Sequence, residues 1–261
     1  MSDLGSIDHK IEWAGYHIKE LDVQLRWFDR SKPYEIFTQP DPSDPKRVQH
    51  MFTNPKPVPN KVPLRIGDAV HNLRAALDHL ACLAVEKGSG VITENTAFPV
   101  WRKPSVPTPA QYKSLVLGKI KGAPKDVIDL MLGLEPYFGG AEEPIRIVDY
   151  LDIVDKHRWP ILAFFCARGI TLTTTVPGFE LSLPPTRYLD KGAPLPPLKD
   201  GDVVFNDFAD KGKGEIQTNA QPIIEIAFGE PPVLQGEAPL PVLLGLSLFI
   251  KETVNKFRAV L

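Results

Sequence analysis

Four side chains with the capacity for acid–base chemistry occur together in one short segment: His71, Arg74, Asp78 and His79. A histidine titrates near neutral pH, so it can accept or donate a proton under physiological conditions. An arginine stabilises anionic charge with a rigid fork of donors, and a nearby carboxylate can orient either group. These are the components that proton transfer on a phosphate or an acyl group requires.

The segment has the periodicity of an amphipathic helix over residues 64–87, and Gly88-Ser89-Gly90 ends it. At about 100° per residue, its apolar side chains form one stripe that faces the core: Val70, Leu73, Leu77, Leu80 and Ala84. Two polar groups lie beside this stripe. The first group comprises His71, Arg74 and Asp78, and the second comprises Asp68, Asn72 and His79.

The composition of the two polar groups favours a helix surface that other parts of the protein cover. A solvated face is normally filled with Lys and Glu, whereas this one carries His, Asn, Arg and Asp beside the small residues Ala75 and Cys82. Besides a plain solvated face, two interpretations are open: a catalytic site, or an internal polar network that ties the helix to its neighbours. Both require partners, because buried polar groups must be paired.

A second charged cluster comes just before Trp159-Pro160. Its members are Asp149, Asp152, Asp155, Lys156, His157 and Arg158. The cluster is typical of a helix end, where Lys-His-Arg suits the negative end of the helix dipole. Alternatively, it packs beside the second helix, so that Asp155 or His157 pairs with Arg74 or His71. That arrangement would complete a site drawn from two helices.

A metal site is a further alternative, with His71, His157 and either Asp78 or His79 as ligands. The sequence contains no HExxH or similarly tight ligand spacing. We therefore predict a site that uses neither a metal nor another cofactor.

The string from Arg74 to His79, Arg-Ala-Ala-Leu-Asp-His, fits the R-x4-H form of the HEPN signature, so this helix resembles a HEPN domain. HEPN domains are helical bundles that are common in bacterial toxin and antiviral systems. The wider stretches IGDAVHNLRAALDHL and DIVDKHRW are also similar to a recurring pattern of uncharacterised bacterial proteins, with HNLRxALDH and DKHR segments.

Active HEPN domains are metal-independent endoribonucleases that usually work as homodimers, in which the Arg and His of both protomers meet at the interface. The resemblance implies that Arg74 holds the scissile phosphate and that His79 moves the proton of the attacking 2′-hydroxyl.

The leading hypothesis is a HEPN-like hydrolase, an endoribonuclease of a bacterial toxin or antiviral defence system that acts as a homodimer through Arg74 and His79. Four further residues are expected to support catalysis: His71, Asp78, Asp155 and His157. One alternative is a catalytically silent binding or scaffold protein that keeps the polar network for structure. Another is a metal-dependent hydrolase that uses the same histidines.

The remaining elements must position these residues. Helical periodicity predicts helices over residues 4–30, 125–138, 142–167 and 240–260, the third kinked at Pro160. A β-hairpin and a proline-rich strap are predicted after the first helix, and residues 91–124 are predicted to form a connector. Five alternating segments predict an antiparallel sheet: ITLTTTV, FELSLP, DVVFNDF, GEIQTNA and PIIEIAF.

The predicted class is α+β, an α-helical bundle with a β-hairpin after helix 1 and an antiparallel β-insert before the C-terminal helix. We predict a single helical-bundle domain over residues 1–261. Within it, residues 33–63 form the hairpin and strap, and residues 169–230 form the β-rich insert.

Bulk composition limits the possible partners. The 261 residues are 43% hydrophobic and 24% charged, as in globular proteins. A net charge of −2 provides no global field for a polyanion, so RNA would have to bind through a local basic patch. The candidate patch comprises Arg102, Lys103, Lys113, Lys119, Lys121 and Lys125.

Cys82 and Cys166 lie in apolar segments and are predicted to be free, buried thiols. The start of the sequence has no basic flank and apolar run of a signal peptide, and the apolar stretch 240–250 is too short for a bilayer, so a cytoplasmic protein without membrane contact is predicted. The tryptophans are predicted to be core anchors: Trp13, Trp27, Trp101 and Trp159.

Overall fold

A computed structural model describes residues 4–157, 161, 163–174, 180–183, 196–208, 218–229 and 234–261. Within these residues the elements follow in the order α1 (Leu4–Arg30), β1 (Glu35–Asp41), β2 (Asp44–Thr53), α2 (Lys61–Lys87), α3 (Pro109–Lys119), α4 (Lys125–Leu134), α5 (Glu143–His157), β3 (Ala163–Thr174), β4 (Glu180–Leu183), β5 (Val203–Phe208), β6 (Thr218–Phe228) and α6 (Pro239–Arg258). The predicted α+β class, with its hairpin after the first helix and antiparallel strands before the last, is confirmed.

The chain divides into two compact units. One, called the helical unit here, comprises residues Met1–Val23, Pro63–Ile161 and Leu240–Leu261. The other, called the β unit, comprises Gln24–Val62 and Leu162–Pro239. The single-domain organisation with its strap and insert stays a prediction.

The helical unit is built around α2, whose apolar stripe is fully buried as predicted. Leu73, Leu77 and Leu80 have no exposed surface. Pro63 lies in the first turn of α2, where its missing N–H costs no helical hydrogen bond. α1 and α6 contribute further buried side chains, among them Ile7 and Phe257. In the described part of the chain, no helix is long and apolar enough to cross a membrane.

The β unit contains two three-stranded antiparallel sheets, ordered β1-β2-β5 and β4-β3-β6. The strands of the predicted insert are therefore divided, because β5 pairs with the hairpin strand β2. An aromatic cluster forms part of the core of this unit. The Phe165 ring centroid lies 5.9 Å from that of Phe28 and 5.4 Å from that of Phe52.

The predicted helix over residues 142–167 is wrong in its last part. α5 ends at His157, and residues 163–167 belong to strand β3, paired with β6. A short apolar run of this kind fits a strand as well as a helix, so periodicity alone cannot separate the two. The predicted kink at Pro160 lies outside the described residues.

Two predicted strands, GEIQTNA and PIIEIAF, belong to one strand as far as residues 218–228 describe them. Pro222 lies within it, opposite Ile170. β6 is last in the order of its sheet, and an edge position tolerates the missing N–H of a proline.

The predicted connector contains an unpredicted helix, α3. Its start is a capping box in which the Thr108 hydroxyl accepts from the backbone N–H of Gln111, and the Gln111 side chain accepts from that of Thr108. Helix α4 ends at Leu134 instead of residue 138. Glu135 adopts a left-handed φ of 52° there and precedes Pro136, which disfavours helical geometry.

Candidate functional site

The first polar group of α2 faces α5, and the two helices run antiparallel. Successive residues of α2 contact successively earlier residues of α5: Gly67 meets Asp155, His71 meets Asp152, and Arg74 meets Asp149. The charged cluster therefore packs beside the second helix. The partners are Asp152 and Asp149 instead of the expected Asp155 and His157, and they lie one to two helical turns earlier on α5.

A histidine–carboxylate pair lies at the more exposed end of this interface. The His71 Nδ1 is 3.0 Å from Oδ1 of the almost fully buried Asp152. The other oxygen of Asp152 accepts from the Lys156 ammonium at 2.8 Å. Because the His71 side chain is 48% exposed, its ring can meet a ligand from solvent. A carboxylate at Nδ1 fixes the tautomer that leaves Nε2 able to accept a proton.

The other end of the interface is a buried ion network centred on Arg74, which is only 4% exposed. The Arg74 Nη2 lies 2.8 Å from Asp78 Oδ1 and donates to the Phe98 carbonyl at 3.2 Å, while Nε lies 3.2 Å from Asp149 Oδ1. Arg102 donates twice to Asp149, at 2.7 and 2.8 Å.

This network connects three segments of the helical unit. Asp78 also accepts from the backbone N–H of Phe98 at 2.9 Å, so α2 is fixed to the chain that follows it as well as to α5. Of the three guanidinium nitrogens of Arg74, only Nη1 has no hydrogen-bond partner among the described residues. Arg74 is thus occupied by protein groups and has little surface on which to hold a phosphate.

Asp155 packs against the backbone of α2 at Gly67, where a Cβ would lie 2.3 Å from Asp155 Oδ1. Burial raises the pKa of the Asp155 carboxyl, and the neighbouring carboxylates of Asp152 and Asp68 add to that effect. Asp155 therefore holds a proton more readily than an ordinary aspartate does. It is a second titratable group beside His71, but it is not the hydrogen-bond partner of that histidine.

His79 faces a different helix. Its Nδ1 lies 3.2 Å from the Ser6 hydroxyl on α1. Burial lowers the pKa of His79, and the nearby Lys10 ammonium lowers it further. Five residues along a helix correspond to a rotation of about 140°, which explains why His79 and Arg74 point towards different partners. Within this chain the two residues of the R-x4-H string do not meet.

His157 is the last residue of α5 and is exposed. Arg158 and Trp159 lie outside the described residues. The suggested metal ligands do not converge: His71 contacts Asp152, Asp78 contacts Arg74, and His79 contacts Ser6. In the portion of the chain that is described, no group of three His, Cys, Asp or Glu side chains has an arrangement that could hold a metal ion.

The second polar group of α2 faces α1. Asn72 is 6% exposed, and its Oδ1 accepts from Lys10 at 3.3 Å while its Nδ2 donates to the Asp68 carbonyl at 2.8 Å. His17 lies 3.4 Å from the Asp68 carboxylate, and its pKa is lowered chiefly by burial. Sequence reasoning did not identify Lys10, because its contact with Asn72 joins residues that are 62 positions apart.

The prediction that the tryptophans are core anchors is wrong for two of them. Trp13 is 56% exposed and Trp27 is 65% exposed. Both lie on α1, off its buried stripe. Trp101 is half-buried, and Trp159 lies outside the described residues. The signal for Trp13 was its angular position, which differs from that of Ile7, Ala14 and Ile18.

The candidate basic patch is only partly available to a ligand. Arg102 is bound to Asp149, and the Lys103 ammonium lies 5.3 Å from the centroid of the Trp101 ring. Lys125 pairs with Asp129. Lys113 and Lys121 are exposed, whereas Lys119 is half-buried.

Comparison of the chain with protein-family models, with curated proteins and with solved structures finds no match.

Proposed function

We propose that this chain is a HEPN-like, metal-independent endoribonuclease in which His71, oriented by Asp152, transfers the proton. The single observation that supports this assignment is the 3.0 Å contact between His71 Nδ1 and the buried Asp152 carboxylate, on an imidazole that is half exposed. A general base needs this combination of a fixed tautomer and access to the substrate.

In the proposed reaction, His71 Nε2 takes the proton of a ribose 2′-hydroxyl. The 2′-oxygen bonds to the adjacent phosphorus, and the bond from phosphorus to the 5′-oxygen breaks. The proton then passes from the imidazolium to that 5′-oxygen, so that a cyclic phosphate and a free 5′-hydroxyl result. Lys156, whose ammonium lies 2.8 Å from Asp152, is the proposed cation that stabilises the negative charge of the reacting phosphate.

In this proposal Arg74 and His79 do not have the catalytic roles that the HEPN resemblance implies. The buried Arg74 holds α2 and α5 together beneath His71. Asp155 and His157 remain supporting residues on the same helix as Asp152. The homodimer, the cytoplasmic location and the role in a toxin or antiviral system are proposed from the resemblance alone. RNA would approach the exposed Lys113 and Lys121.

The test is cleavage of single-stranded RNA in the presence of EDTA by the purified full chain. We expect cleavage to persist in EDTA, and we expect His71→Asn to reduce its rate by roughly 10²- to 10⁴-fold, the usual contribution of a positioned base. Asp152→Asn should also slow the reaction and shift its pH profile. His50→Asn, in the β unit, serves as the control.

Three outcomes would contradict this assignment. Full activity of His71→Asn excludes His71 as the base. A large loss with His79→Ala and none with His71→Asn favours the original R-x4-H mechanism. Loss of activity in EDTA that returns with added metal favours the metal-dependent hydrolase.

The second candidate function is a catalytically silent binding or scaffold protein. The burial of Arg74 and its pairing with Asp78 and Asp149 favour it, because such a network serves stability without any substrate. In that case the wild-type chain leaves RNA intact, and substitutions in the network change only the free energy of unfolding.

A further inference from the structure

A groove with a volume of about 690 Å³ lies between α1 and α2, on the side of α2 that faces away from Arg74. It belongs to the helical unit and is separate from the His71–Asp152 pair. Its lining combines two aromatic rings with polar groups that include Lys10, Glu12, Asn72 and His79. Pockets that bind small molecules have volumes of roughly 300–1,000 Å³.

The aromatic part of the lining is a stacked pair that is open to solvent. The Trp13 and Tyr16 rings lie 5.1 Å apart with an interplanar angle of 19°. Trp13 is 56% exposed and Tyr16 is 44% exposed. His17, which is buried, contacts both rings edge-on and so supports the pair from below. Large, partly rigid aromatic surfaces of this kind are suited to stacking against a planar ring.

The polar part of the lining carries one cation. Among the described residues, Lys10 donates to Asn72 at 3.3 Å and is paired with no carboxylate. An ammonium has three donors, so Lys10 can bind a further acceptor. Asn72 is buried and holds Lys10 in place. Burial and the Lys10 ammonium lower the pKa of His79, which favours the neutral ring, so His79 adds a hydrogen-bonding group to the lining.

Glu12 also lines the groove, and it limits the charge that a ligand can carry. Lys10 provides one positive charge for one acidic group, whereas each further negative charge on a ligand would gain no second cation and would be repelled by the Glu12 carboxylate. The complementary ligand therefore has a flat aromatic ring for Trp13 and a single acidic group for Lys10.

We propose that this groove is a binding site for a small planar aromatic carboxylate, with the ring stacked on Trp13 and Tyr16 and the carboxylate bound to Lys10. The site is independent of the proposed RNA cleavage, since among the described residues the side chains of Lys10, Trp13 and Tyr16 form no hydrogen bond or ring contact with His71 or Asp152.

The experiment measures binding to the full chain by isothermal titration calorimetry, with 2-naphthoate as the probe. 2-Naphthol provides the ring without the charge, and acetate provides the charge without the ring. We expect naphthoate to bind, naphthol to bind more weakly and acetate to show no measurable binding. Stacking on an aromatic side chain contributes about 5- to 150-fold to affinity, so Trp13→Ala should weaken naphthoate binding by an amount in that range.

The variants separate the two parts of the site. Lys10→Met keeps the aliphatic stem and removes the cation, so it should weaken naphthoate by roughly tenfold and leave naphthol unchanged. Tyr16→Ala provides a second test of the stacking surface. Trp27→Ala removes another exposed tryptophan of α1 that does not line the groove, and it should bind like the wild type. His71→Asn should also bind normally, which distinguishes this site from the proposed catalytic one.

Several results would overturn the proposal. Naphthoate that does not bind, or that binds Trp13→Ala and Trp27→Ala equally, excludes the stacking role. Adenosine monophosphate that binds more tightly than naphthoate would assign the groove to a nucleotide. A wild-type dimer that Trp13→Ala converts into a monomer in sedimentation would assign the aromatic pair to contact with a second copy of the chain.

Discussion

The polar side chains of α2 differ mainly in their solvent exposure. His71 and Arg74 are one turn apart on the same helix face, and both are paired with an aspartate of α5. His71 is half exposed and can exchange a proton with a ligand, whereas Arg74 is almost fully buried. When one partner of a buried ion pair is removed, the other charge is left uncompensated in a low-dielectric environment, which is strongly destabilising.

This difference leads to a prediction for Asp149, which is 2% exposed and accepts from two arginines. Asp149→Asn should lower the free energy of unfolding by about 3 kcal/mol, because Arg74 is left buried with one carboxylate instead of two. Urea denaturation measures the change. The matched control is Asp129→Asn, which breaks the exposed pair with Lys125 and should leave stability almost unchanged, because solvent screens an exposed ion pair. Equal effects of the two substitutions would show that the Arg74 network does not hold the helices together.

At the scale of the elements, the close approach of α2 and α5 depends on the missing side chain of Gly67. A Cβ there would lie 2.3 Å from Asp155 Oδ1 and 2.5 Å from its Cγ, so a side chain requires Asp155 or a helix to move. The same close approach of the two helices brings Asp152 opposite His71, one turn further along α2. Glycine at this position therefore leaves the space that the Asp155 carboxyl group occupies beside α2.

Gly67→Ala should lower the free energy of unfolding by about 1–3 kcal/mol through overpacking, even though alanine is the better helix former. Gly245→Ala, in α6, is the matched control, because a Cβ there meets nothing within 4 Å. That substitution should raise stability by about 0.5–1 kcal/mol. Adding Asp155→Ala to Gly67→Ala removes the clashing carboxylate and should recover most of the loss. A stabilising Gly67→Ala would mean that the Asp155 carboxyl group or the helices move aside without cost at this point.

Periodicity and capping signals were sufficient for the longest elements. The helix predicted over residues 4–30 coincides with α1, and that over 240–260 differs from α6 by only one or two residues at each end. Helix α3 could have been found from Thr108-Pro109-Ala110-Gln111, whose spacing is that of a capping box. Local periodicity does not identify residues 163–167 as part of strand β3, because the pairing of β3 with β6 is a long-range contact that no local pattern contains.

The sequence was sufficient to predict which helices form the candidate site. It was not sufficient to predict which residues pair across them. The spacing of His71 and Arg74 matches that of Asp149 and Asp152, both i and i+3, so two facing helices could be inferred. The register between the helices is set by Gly67 and by buried side chains, and that information is tertiary. The exposed pair of Trp13 and Tyr16 was missed for a similar reason, since aromatic residues are usually buried and only their angle on α1 indicated otherwise.

On the scale of the whole molecule, the two compact units each draw on separate stretches of the chain. The helical unit takes three stretches and the β unit takes two, and α1 supplies residues to both. Each unit contains one cysteine: Cys82 lies on α2 and Cys166 lies on β3. Both are free thiols, in agreement with the sequence-based prediction, although Cys82 is only half-buried.

Cys166 is a reporter for the unfolding of the β unit. Burial raises the pKa of its thiol to about 12, so at pH 8 roughly one molecule in ten thousand carries the reactive thiolate. In a Cys82→Ala variant, alkylation of Cys166 should therefore be about a thousandfold slower than that of a free thiol until denaturant unfolds the unit. The labelling rate should then rise together with the loss of β structure in circular dichroism.

The complementary Cys166→Ala variant, which retains the half-buried Cys82, should react faster under native conditions. Rapid labelling of Cys166 at low denaturant, before the circular dichroism changes, would contradict this expectation, because it would mean that strand β3 separates from β6 while the rest of the structure is intact.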